Sequence, residues 1–141
     1  MSSAIRRSLY GKLSGDTTLT AMLATPPTGF AQSIYYQQAP QTAQFPYVVF
    51  QKQDGRPTEA FDDPSAFEND IWLVKGIDRS ASANVAEDIQ ARVIALLNDA
   101  SLSISGADLT YLRRMSDVDY PETLDGVEYK HAGSLFRLVT V

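Results

Sequence analysis

Leu135-Phe136-Arg137-Leu138-Val139-Thr140-Val141 carries apolar residues on both faces of an extended chain. A strand with one wet face alternates apolar and polar residues, whereas a strand covered on both faces does not. The run predicts an interior strand covered by helices, within a longer extended segment over 127–141. Just upstream, 119–126 reads as a connection ending in Asp125-Gly126, a dipeptide suited to a tight hairpin turn. Before it, 109–118 is a second strand candidate.

Further upstream the apolar period changes. Val85, Ile89, Val93, Leu96 and Leu97 recur at helical spacing, with Glu87, Asp88, Gln90 and Arg92 between them. That pattern predicts an amphipathic helix beginning at Ser80 or Ser82. Strand signals return before it. One is 67–77, centred on Ile71-Trp72-Leu73-Val74. The other is Tyr47-Val48-Val49-Phe50-Gln51-Lys52, rich in β-branched and aromatic residues. Between them Asp54-Gly55 reads as a turn, and 54–66 as a long acidic loop. Ser33-Ile34-Tyr35-Tyr36 is a short strand, and Ala39-Pro40 through Phe45-Pro46 is a connection, since proline cannot donate to a ladder. At the start, Ile5, Leu9 and Leu13 mark a helix capped by Ser2 or Ser3. Asp16 caps a second helix over 17–24, with Leu19, Met22 and Leu23 as its apolar side. Strands cluster instead of alternating with helices. The fold expected is α+β, one domain over 1–141, with a mixed, mostly antiparallel sheet and helices on one face.

Composition narrows function. The chain has 141 residues, a formal net charge of −5, one histidine and no cysteine. Disulfides, thiol nucleophiles and thiolate metal sites are thereby excluded. No apolar run suits a membrane helix, and none follows Arg6-Arg7 as a secretory leader requires, so neither is expected. An acidic chain lacks the footprint of a phosphate-gripping protein, but a conduit for nucleic acid benefits from weak contact. Gly11-Lys12 fails as a phosphate loop, because Arg6 and Leu13 stand where a glycine and a Ser or Thr are required.

His131 with a nearby carboxylate is the one acid–base pair an enzyme reading could use. The alternative is a strand residue beside a turn, satisfied by a neighbouring backbone group. Asp54, Glu59, Asp62 and Asp63 lack the spacing of a calcium loop, so no metal and no cofactor is expected. Arg6-Arg7 and Arg113-Arg114 read as solvated faces or partners of acidic neighbours. Tyr35, Tyr36, Tyr47, Phe50 and Trp72 lie in a region poor in cations, so packing is a better use for them than base stacking.

The order of these pieces resembles the tail-terminator, or tail-completion, proteins of long-tailed bacteriophages. The paired opening helices carry Ile5-Arg6-Arg7-Ser8-Leu9-Tyr10-Gly11-Lys12-Leu13 and then Leu19, Met22 and Leu23. They are followed by Ile34-Tyr35, the Phe45-Pro46-Tyr47-Val48-Val49 strand, the Trp72 strand, the helix ending in Leu96-Leu97, and Phe136-Arg137-Leu138-Val139. The resemblance implies a structural, non-enzymatic virion protein, assembled in the host cytoplasm and placed at the head-proximal end of the tail. It implies a hexameric ring that stops tube polymerisation, contacts the tail-tube protein and a head-neck connector or stopper protein, and passes DNA without specific binding. A head-side stopper and a generic monomeric binding module are the alternatives. Asp54, Arg56, Glu59, Asp62 and Asp63 are candidates for an interface or a lumen-facing loop, from loop length and charge.

Overall fold

The computed structural model describes residues 2–58 and 67–141. The elements are α1 (Ser2–Ser14), α2 (Thr17–Ala21), β1 (Ile34–Tyr36), β2 (Tyr47–Thr58), β3 (Phe67–Asp78), α3 (Asn84–Leu97), β4 (Leu109–Leu124) and β5 (Val127–Thr140). The five strands form one sheet in the order β1-β2-β3-β5-β4. β1 runs parallel to β2, and every other pair is antiparallel. The α+β expectation holds, and β5 is interior, as its double-sided apolar run predicts.

Three boundaries differ from the sequence expectation. The first is Asp54-Gly55, which does not turn the chain. β2 runs on through it to Thr58, after a bulge between Lys52 and Asp54, with Asp54 opposite Ile71 and Arg56 opposite Asn69. Gly55 supplies room instead of a turn: a Cβ there would overlap Lys52 and come 2.7 Å from Asp70 Oδ1. Second, 119–124 is strand, and the only connection is Asp125-Gly126, both at positive φ (51° and 77°) as a two-residue hairpin turn requires. Third, the helix ends are shifted. α2 stops at Ala21, because Ala24 N–H donates to the Pro46 carbonyl (2.9 Å) and the Ala24 carbonyl accepts from Ser33 Oγ (2.7 Å). α3 starts at Asn84, with Ser80 and Ser82 spent on turns whose hydroxyls accept from Ser82 N–H and Asn84 N–H. Ser2 and Ser3 lie inside the first turn of α1.

All three helices pack on one face of the sheet. Ile5, Leu9 and Leu13 of α1, Leu19 of α2, and Ile89, Val93 and Leu97 of α3 are buried there on Val48, Phe50, Trp72, Val74, Phe136 and Leu138. Each such side chain contributes roughly 1.5–3 kcal/mol by leaving water. α3 comes close because Gly76 lies beneath it; a Cβ there would be 2.7 Å from Ile89 Cγ2. Asp16 ties the helices together. Its Oδ2 accepts from Leu19 N–H as the α2 cap, and both its oxygens accept from Arg92 of α3 at 2.7 and 2.8 Å. The Arg92 hydrogen bond holds the Asp16 carboxyl below the usual carboxylate range, against an opposing effect of burial.

Among the described residues no helix covers the opposite face. Tyr35, Val49 and Ile77 are buried there under Ala39, Ala43 and Phe45 of the connection into β2. The expectation that helices cover the closing strand is therefore corrected. On β5 the helix side is buried at Phe136 and Leu138, whereas Leu135, Arg137 and Val139 are half-buried.

Candidate assembly surfaces

Because the sheet is open, it has two edges, β1 and β4. An unpaired edge is a template for another chain unless it is short, bulged or charged. The two edges differ in all three respects.

β1 spans only three residues and is flanked by α1. Beside it lies an open groove formed by Arg6, Arg7, Tyr10, Phe30, Ile34 and Tyr36. The Arg6 guanidinium stacks 5.1 Å above the Tyr36 ring, and Phe30 meets Tyr35 edge-on at 5.2 Å while remaining 45% exposed. Among the described residues Arg7 is exposed and has no ion-pair partner. The helix is basic throughout, with Arg6, Arg7 and Lys12 and no acidic residue.

β4 is long and acidic. Its first part is occupied by the chain leaving α3: Asp99 N–H donates to the Leu112 carbonyl and Arg114 N–H to Asn98 Oδ1. A bulge between Arg114 and Ser116 follows, with Met115 44% exposed. Beyond the bulge, among the described residues, no strand lies outside β4. Residues 117–129 contain Asp117, Asp119, Glu122, Asp125 and Glu128 and no cation. Asp117 accepts from Ser134 Oγ at 2.8 Å, and Asp119 accepts from Gln90 Nε2 at 2.7 Å and from Gly133 N–H at 3.3 Å. These bonds fix both carboxylates on the helix side of the strand.

On the other side, Tyr120 and His131 stack at 4.4 Å. Lys75 Nζ donates to Tyr120 Oη at 2.9 Å, and His131 Nε2 lies 3.1 Å from Glu122 Oε1. The partner of His131 is thus a carboxylate, not the backbone group expected. His131 Nδ1 is buried and unpartnered among the described residues. Burial, and then Lys75, push the imidazole pKa down, partly opposed by Glu122. This is a packed strand position whose burial favours the neutral imidazole.

The sequence-predicted loop residues separate. Asp54 and Arg56 lie on β2, while Glu59, Asp62 and Asp63 lie outside the described residues. Arg113 and Arg114 do meet acidic neighbours, Asp99 at 3.1 Å and Asp117 at 3.9 Å. Tyr36, Phe50 and Trp72 form one ring cluster in the core, and Phe45, Tyr47 and Tyr129 another on the far face. Among the described residues no three His, Asp or Glu side chains are grouped to hold a metal, and no helix is long and apolar enough to cross a membrane. Sequence reading missed the β4 edge because it placed 119–124 in a connection. The signal was available in Val118, Tyr120 and Glu122, which alternate with Asp117, Asp119 and Pro121 at the strand period.

The sequence matches the family model described as Tail completion protein gp17 over residues 7–140. No curated protein matches the chain. The fold matches a chain of a solved structure titled as the virion of a native gene transfer agent particle. That chain is 19% identical, with a TM-score of 0.74, over 99% of this chain and 96% of that one. A second solved structure is 16% identical, with a TM-score of 0.58, over 98% and 95%. At these identities the likeness is one of fold.

Proposed function

The chain belongs to the tail completion protein gp17 family, a structural family of phage tail assembly, and on that premise we propose that it terminates the tail tube. In this reading copies close into a hexameric ring on the head-proximal end of the tube, stop its growth and offer a surface to the head-neck protein. The observation that carries it is the extent of the family match, which takes in every described strand, α2, α3 and the second half of α1. The fold likeness to a virion chain supports the same setting. The role is mechanical, and no catalytic step is assigned to His131. A ring of copies each carrying a formal charge of −5 suits a channel through which a polyanion must slide.

β2 ends at Thr58 and β3 begins at Phe67, at the end of the sheet opposite the Asp125-Gly126 turn. In this reading Asp54, Arg56, Glu59, Asp62 and Asp63 serve an interface or face the lumen. Shortening 59–66 is then expected to weaken ring formation or tail joining while the monomer keeps its circular dichroism and melting temperature. Unchanged assembly would remove these residues from the interface.

The decisive experiment is negative-stain electron microscopy of the protein mixed with polymerising tube subunits of the same phage. Tubes arrested with a six-fold ring at one end are the expected result. Tubes that grow without limit while the protein binds head-side complexes would assign it to the neck as a stopper. Absence of binding to either would leave a monomeric binding module.

A further inference from the structure

We propose that the acidic outer edge of β4 in one copy seats in the Arg6–Arg7 groove beside β1 of the next copy. This rests on the ring reading and deepens it by assigning the two surfaces. A ring contact is heterologous, so each copy must present two different patches that fit each other. The two open edges of the sheet are such a pair. Residues 2–14 carry three cations and no carboxylate, and residues 117–129 carry five carboxylates and no cation. The alternative of two β4 edges meeting across a two-fold axis would place those carboxylates against their own copies.

The register places β1 and the outer part of β4 at one height, and Arg6 of the groove stacks over Tyr36 of β1. Ile34 pairs with Val48, Val48 with Gly76, Gly76 with Ala132 and Ala132 with Asp119. Tyr36 leads in the same way through Phe50, Val74 and Ser134 to Asp117. The edge residues of β1 and β4 therefore stand across the sheet from one another with no offset along the strands. A neighbour placed edge to edge needs no axial rise, which is the condition for a closed ring instead of a filament. The faces agree too. Asp117 and Asp119 are held on the helix side of β4 by Ser134 and Gln90, and α1 lies on the helix side beside β1. A rotation axis parallel to the strands carries helix side to helix side, bringing Asp117 and Asp119 to Arg6 and Arg7. The exposed Met115 at the bulge and the exposed Phe30 in the groove leave apolar surface at both edges.

Cysteine cross-linking tests this cleanly, because the chain has no cysteine of its own. Arg7→Cys/Asp119→Cys is assembled with tube subunits, oxidised mildly and run on a non-reducing gel. The sheet edges β1 and β4 lie about four strand spacings or 19 Å apart, and a bond within one copy would leave a monomer on the gel, so only contacts between copies give multimers. A ladder of covalent multimers ending at the closed ring is expected, and Arg7→Cys/Thr110→Cys is expected to give none. Rings seen on tubes with only monomers on the gel would overturn this contact and leave the ring reading standing. An equal ladder from the Thr110 pair would also overturn it. No rings on tubes from the parent chain would overturn both. As a second arm, Arg7→Glu is expected to abolish rings and Arg7→Glu/Asp119→Arg to restore them; rings unaffected by Arg7→Glu would overturn the contact.

Discussion

Lys52, Asp70 and Gly55 show what a single position decides. Asp70 is fully buried, and its Oδ1 lies 3.6 Å from Lys52 Nζ while Trp72 Nε1 donates to its Oδ2 at a long 3.4 Å. A buried carboxylate that loses its cation costs far more than the pair is worth, because the charge stays out of water. Lys52→Met is expected to destabilise by about 2–4 kcal/mol, the lower part of the usual range because Lys52 is partly exposed. Lys52→Met/Asp70→Asn is expected to recover most of it. Equal urea midpoints for the two variants would show that Asp70 does not depend on Lys52. His131 sets a pH dependence. Its pKa in the folded chain is below the ordinary 6.5, so the unfolded chain takes up the proton first as pH falls. The stability it provides is complete above 6.5 and declines below it. His131→Phe keeps the stack on Tyr120 and removes the titration. Its melting temperature is expected to change less than the parent's between about pH 6.5 and 5. Parallel profiles would assign the acid sensitivity elsewhere.

At the scale of elements, the β4–β5 hairpin is the feature on which the sheet and its acidic edge both depend. Asp125 and Gly126 both occupy left-handed backbone, so the turn accepts a Cβ at 126 only with strain. Gly126→Ala is expected to cost about 1 kcal/mol and to raise amide exchange along Glu122–Leu124 before it touches α3. Exchange unchanged there would mean the hairpin is held by its contacts with β3 alone. The turn was legible in sequence because its chemistry is local. So were the helix faces of α1 and α3, where apolar spacing alone decides the buried side. The strand run through Asp54-Gly55 was not, because the same dipeptide that turns a hairpin also fits a position where Lys52 and Asp70 need space. That need arises from residues 15 and more positions apart and has no local signature. The same holds for Asp16, whose cap was visible in sequence but whose bond to Arg92 was not.

At the scale of the whole molecule, two electrostatic effects of opposite sign act on assembly. Each copy carries −5 overall, so copies repel at long range. The contact between the β4 edge and the α1 groove attracts, but only at close approach. Salt separates the two, because the screening length falls from about 30 Å at 0.01 M to about 10 Å at 0.1 M and 3 Å at 1 M. The long-range repulsion is removed first, and the contact pairs, partly shielded by Phe30 and Tyr36, are weakened later. Ring formation is therefore expected to pass through a maximum at intermediate ionic strength, on the order of 0.1–0.2 M. Sedimentation velocity across a salt series at fixed protein concentration measures this. Arg7→Glu is expected to abolish the falling limb, since that limb reports the contact charges. If assembly instead rises steadily to high salt in the parent chain, burial of apolar surface holds the ring together and the charges serve only to choose which edges meet.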